Sequence, residues 1–146
     1  RQAMKKKVCL LAALWLAPVF VASAQGPLIR AESAWVRPSP MRERASVAYM
    51  VLRNDGDAPD ALVGAASEVA GMVELHETVK TGDMMHMRPV PRIEVPAKGT
   101  VELKPGGLHL MLMHMREDLP IGRKVRLILK FEKAGELPVD VEARKQ

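Results

Sequence analysis

All four histidines of the chain, His76, His86, His109 and His114, lie between His76 and Met115. Seven of the ten methionines lie between Met72 and Met115. The stretch opens as H-E-T-V-K-T-G-D-M-M-H-M from His76 and closes as H-L-M-L-M-H-M at Met115. A neutral imidazole and a soft thioether brought together form the ligand set that suits Cu(I). Methionine also fills irregular cores, and a chain with only 3% aromatic residues could use it that way. Taken singly, each histidine reads as a surface or hydrogen-bond-satisfied group and each methionine as core. Their concentration beside two turns, without cysteine nearby, favours a metal site.

The ligands need elements to position them. In a strand, residues i and i+2 share a face, with Cα atoms about 7 Å apart. His109 and Met111 therefore point the same way. On this spacing Met113 and Met115 continue the row, while Leu110, Leu112 and His114 face the other side. One ion cannot take the whole row, so these methionines are alternatives. One strand offers two good ligands, so a closed site draws others from elsewhere. His76 ends an expected strand, and Met84, Met85, His86 and Met87 lie across the Thr81-Gly82-Asp83 turn.

Strands are expected over residues 28–37, 45–54, 61–67, 72–77, 84–90, 93–95, 100–104, 109–115, 124–131 and 137–143. Gly, Pro, Asn and Asp bound them, as at Asn54-Asp55-Gly56-Asp57 and Pro105-Gly106-Gly107. In the strand over 45–54, Val47, Tyr49 and Val51 share one face. No helical period runs through the chain after residue 24. The pattern predicts an all-β fold, an antiparallel sandwich or barrel, with Trp35, Tyr49 and Phe131 as core anchors.

The first 24 residues read as a segment apart. Lys5-Lys6-Lys7, an apolar run from Val8 to Val21 and Ala22-Ser23-Ala24 describe a secretory signal peptide. The run is shorter than the roughly 20 residues of a spanning helix. The expected division is 1–24 signal peptide, with residues upstream of Met4, and 25–146 one β domain. Setting aside Arg1, Lys5, Lys6 and Lys7, the formal charge of +5 becomes 18 basic against 17 acidic residues, net +1. The signs are interspersed, so no nucleic-acid partner is expected. Cys9 is the one cysteine. It stands at the head of the apolar run, the wrong place for lipid attachment at a cleavage site. Without it there is no disulfide, no Cys-ligated zinc and no blue-copper centre. An enzyme reading finds little. His76-Glu77 opens an H-E-x-x-H pattern that fails at Lys80, and neither a G-x-S-x-G nor a P-loop occurs.

His76, Met87, His109 and Met111 fall in the spacing H-x10-M-x21-H-x-M. With Ala34-Trp35-Val36-Arg37, Ala48-Tyr49-Met50 and the run Gly106 to Met113, this resembles the PCuAC family of periplasmic copper chaperones. The resemblance covers essentially the whole chain after the signal segment. It implies a cupredoxin-like Greek-key β-sandwich and one Cu(I) held by His76, Met87, His109 and Met111. It further implies delivery of copper toward the binuclear copper A centre of cytochrome c oxidase. The expected partners are oxidase subunit II or a Sco-like thioredoxin-fold protein, with the chaperone a monomer outside the membrane. The chain departs from the family in lacking a Met/His-rich tail and in placing His114 where a small residue is expected. Two imidazoles and two thioethers carry no charge, which favours Cu(I) over Cu(II). Competing readings are a non-catalytic periplasmic interaction module, and periplasmic metal storage or resistance.

Overall fold

The computed structural model describes Val19 and residues 25–146. The expected signal peptide therefore lies, apart from Val19, outside the described residues. Ten strands follow one another: β1 Ile29–Val36, β2 Ala45–Asn54, β3 Asp60–Ser67, β4 Ala70–Thr81, β5 Met84–Pro89, β6 Ile93–Val95, β7 Gly99–Leu103, β8 Leu108–Met115, β9 Lys124–Phe131 and β10 Gly135–Ala143. A single 3-10 turn, Met41–Glu43, accompanies them among the described residues. None of the helical structure described there is long and apolar enough to cross a membrane.

The strands run side by side in the order β4-β8-β2-β1-β10-β9-β3. Pairing of Ala65 on β3 with Val73 on β4 closes the ring. β1 and β10 pair in parallel, Trp35 against Glu142. The other pairs are antiparallel. β5 extends the sheet beyond β4, β6 lies on β3, and β7 continues the edge of β2 that β8 begins. The result is a Greek-key, barrel-like β-sandwich, the all-β fold expected from the turn punctuation.

The alternation of apolar and polar residues decides which faces turn inward. In β9, Val125, Leu127, Leu129 and Phe131 are buried while Lys124, Arg126 and Lys130 are exposed. Val73 and Leu75 of β4 and Leu110 and Leu112 of β8 belong to the same core, with Leu52, Leu62 and Met50. Each such fully buried side chain contributes about 1.5–3 kcal/mol of transfer free energy. The opposite face of β4 and β8 is thereby left to Met72, Glu74, His76, His109, Met111 and Met113.

The structure corrects three local expectations. β4 does not stop near His76. It runs on to Thr81 because β5 pairs with it from His76↔Pro89 to Thr81↔Met84. The hairpin between them turns at Gly82, whose φ of +62° side chains disfavour. His76 thus sits mid-strand. The row on β8 ends at Met113, because His114 adopts φ +53° and breaks the alternation. His114 is exposed and Met115 turns into the core. Gly71 makes room for that bend, since a Cβ there would stand 3.0 Å from the His114 Cβ. Finally, of the three aromatics expected as core anchors, Phe131 joins the main core cluster and Tyr49 is buried apart from it, but Trp35 is only half-buried. Tyr49 is buried on the histidine face and Trp35 packs beside it there, ring centroids 4.9 Å apart. Their strand positions put them on the outer side of β2 and β1.

Candidate metal centre

β4 and β8 bring two distant histidines onto one rung. The register places Met72 opposite Met113, Glu74 opposite Met111 and His76 opposite His109. The two imidazole centroids lie 5.7 Å apart at an interplanar angle of 56°. Both residues are buried, His76 at 8% exposure and His109 at 1%. Neither histidine is thus exposed at the turns that flank the stretch.

Each imidazole spends one nitrogen on a fixed hydrogen bond. His76 Nε2–H donates to Glu74 Oε2 at 2.8 Å. His109 Nδ1–H donates to the Gly107 carbonyl at 3.0 Å. These bonds leave lone pairs on His76 Nδ1 and His109 Nε2. Both atoms are buried and without a hydrogen-bond partner among the described residues. Buried polar atoms are normally satisfied, and two orphans on one rung call for an electrophile. Metal-bound histidines characteristically donate their other N–H to a carboxylate or a backbone carbonyl. That is the arrangement here. Glu74 was not singled out from the sequence. The signal was present in Glu74-Leu75-His76, since i and i+2 share a strand face.

Burial lowers the pKa of His109 below its ordinary value, and the charges of His76 and Arg37 push the same way. The bond to Gly107 opposes them. The imidazole is thus kept in the neutral form that binds metal. Tyr49 walls this side, its ring 6.4 Å from that of His109, and Arg37 Nη2–H donates to the Tyr49 hydroxyl at 3.2 Å. Arg144 stands 5.9 Å over the Trp35 ring.

The methionines divide by strand. Met111 shares the face of His109 and is half-buried. Met87 pairs with Thr78, one step along the same face from His76, and is 51% exposed. The four expected ligands therefore occupy one face across β5, β4 and β8. Met85, opposite Lys80, shares the face of Met87, while Met84 and His86 point to the other side of β5. Among the described residues no three His, Cys, Asp or Glu side chains are grouped as a metal cage. The further donors on this face are mainly thioethers, which suit a soft ion better than zinc.

Residues 29–143 match the family described as "Putative lipoprotein LpqE-like". "Putative lipoprotein Lxx21020" of Leifsonia xyli is 34% identical over 129 residues, covering 84% of this chain and 76% of its own length. The copper-bound PCuAC domain from PmoF2 superposes with a TM-score of 0.67 at 29% identity, over 81% of this chain and 93% of that one. The chain belongs to the LpqE-like, or PCuAC, family. CuI-DR1885 from Deinococcus radiodurans is a second solved neighbour, with TM-score 0.65 and 35% identity over 86% of this chain and 83% of its own. The family resemblance drawn from the residues is borne out. Two of its solved PCuAC-fold neighbours are thus described with copper, one of them as Cu(I).

Proposed function

We propose that the protein is a Cu(I) carrier acting outside the cytoplasm. It holds one ion through His76 Nδ1, His109 Nε2 and the sulfurs of Met87 and Met111. The observation that carries the reading is the pair of orphaned imidazole nitrogens on one rung, each oriented by a bond from its other nitrogen. The copper-bound PCuAC neighbours and the lipoprotein description of the family support it.

The division of labour follows from exposure. The buried histidines retain the ion, and the half-exposed Met87 gives a partner its approach. A receiving protein whose thiolates displace Met87 draws the ion away, because thiolate outcompetes thioether for Cu(I) and no ligand of the donor needs a proton to let go. The receivers proposed are subunit II of cytochrome c oxidase, at its copper A centre, and a Sco-like thioredoxin-fold protein. No catalytic step belongs to this reading.

Anaerobic titration against a chromogenic Cu(I) chelator tests the binding, with one tightly held ion per chain expected. Mixing the loaded protein with each apo receiver, then separating the two and counting copper, tests delivery. Tight Zn(II) binding that Cu(I) fails to displace would sink the proposal.

A further inference from the structure

The thioether face does not end at the four proposed ligands. Met72 and Met113 stand directly opposite each other on β4 and β8, two rungs from the histidine pair. Met111 lies between them and His109, on the same face. Cβ atoms of directly opposite residues are about 5 Å apart, and the unbranched methionine side chain bridges such a gap with three rotatable bonds. Met72 is 40% exposed and Met113 partly so. Neither belongs to the core, which takes Val73 and Leu112 from the inward side of the same pair of strands. On the next strand, Ala45 pairs with Met113. Its short side chain leaves the Met113 sulfur room to move.

We infer that Met72 and Met113 form a second Cu(I)-binding position, with Met111 as a ligand shared with the histidine site. Core packing does not account for a thioether pair on an outward face, where polar residues are the usual choice. Two soft neutral donors suit a monovalent d10 ion, and hard divalent ions gain nothing from them. Glu74 is the charged residue between the two positions on β4, and its carboxylate offsets part of the repulsion between two cations. The second ion still binds more weakly than the first, because it lacks imidazole and meets the charge of its neighbour. Met111 can swing from one ion position to the other without leaving the face, so the pair serves as a staging post. This inference rests on the carrier reading for its purpose but not for its chemistry.

The test is Ag(I), a redox-inert soft analogue of Cu(I), titrated into protein carrying 13C-labelled methionine methyls and followed by NMR. The first equivalent is expected to move the Met87 and Met111 methyl signals. The second is expected to move Met72 and Met113, leaving Met84 and Met85 in place. Substituting Met72→Leu and Met113→Leu together, which keeps size and apolarity, lowers the stoichiometry from two ions to one. Substituting His76→Ala and His109→Ala together leaves the Met72 and Met113 response intact. A second equivalent that moves Met84 and Met85, or none that binds at all, overturns the inference while leaving the carrier site standing. A response of Met72 and Met113 with none from Met87 does the reverse: the carrier site fails and the second position stands.

Discussion

Removing the Glu74 carboxylate isolates the part of the site that the sequence motif does not contain. Its Oε2 accepts the His76 Nε2–H at 2.8 Å and so keeps the ring proton off Nδ1, the proposed ligand atom. Without the acceptor, neutral His76 is free to carry its proton on Nδ1, and a fraction of the molecules present the wrong nitrogen. A hydrogen bond to a charged group is worth about 1.5–3 kcal/mol. The Glu74 side chain is 35% exposed, so water screens it and the lower end applies. That end corresponds to about a tenfold loss of affinity, within the range of about 10–100-fold seen when such outer partners of metal ligands are removed. Glu74→Ala is therefore expected to weaken Cu(I) binding about tenfold. Glu74→Gln keeps an acceptor oxygen and loses less. The assay is competition with a Cu(I) chelator at pH 7, with unfolding midpoints measured alongside to confirm the fold. Cu(I) affinity unchanged in a folded Glu74→Ala protein would refute the proposed orientation of His76.

Three further expectations follow from the geometry. Met87→Ala and Met111→Ala each weaken Cu(I) binding strongly, while Met84→Ala, on the opposite side of β5, changes it little; the same chelator competition reads all three. Burial lowers the pKa of His109 in the folded chain, so below about pH 6.5 the unfolded chain takes up a proton that the folded chain refuses. Stability accordingly falls as pH drops from about 6.5 toward the lowered value, with a slope approaching one proton. Urea midpoints between pH 5 and 7.5 should show a shallower fall in His109→Gln. Leu110→Ala empties a fully buried position beneath the histidine rung and is expected to cost about 2–5 kcal/mol in urea unfolding.

Strand positions were largely legible because Gly, Pro, Asn and Asp punctuate this chain. Local pattern sufficed for the stretches over 45–54 and 124–131, and the Thr81-Gly82-Asp83 turn for the one expected over 84–90. What local pattern cannot carry is register. The pairing of His76 with His109 joins residues far apart in sequence, and nothing near either one announces it. For the same reason the burial of both histidines went unseen. The length of β4 depends on β5 folding back onto it, so the half-polar Thr78–Thr81 run read as a strand end. One residue in the left-handed region, His114, sends Met115 inward and defeats a count by twos. Tyr49 is buried as its type suggests, but its strand position sets it against His109, with Trp35 packed on it from β1. The ligand set came from spacing and family resemblance. The choice of His76 Nδ1 and His109 Nε2 came only with coordinates, because it depends on what the other ring nitrogens bond.

X-ray absorption at the copper edge of protein loaded with slightly less than one Cu(I) per chain tests the central claim most directly. The account predicts a Cu(I) edge and a first shell of two nitrogen and two sulfur scatterers, with one nitrogen lost in His76→Ala and one sulfur lost in Met87→Ala. A shell of nitrogen and oxygen alone, or one unchanged by either substitution, would contradict it.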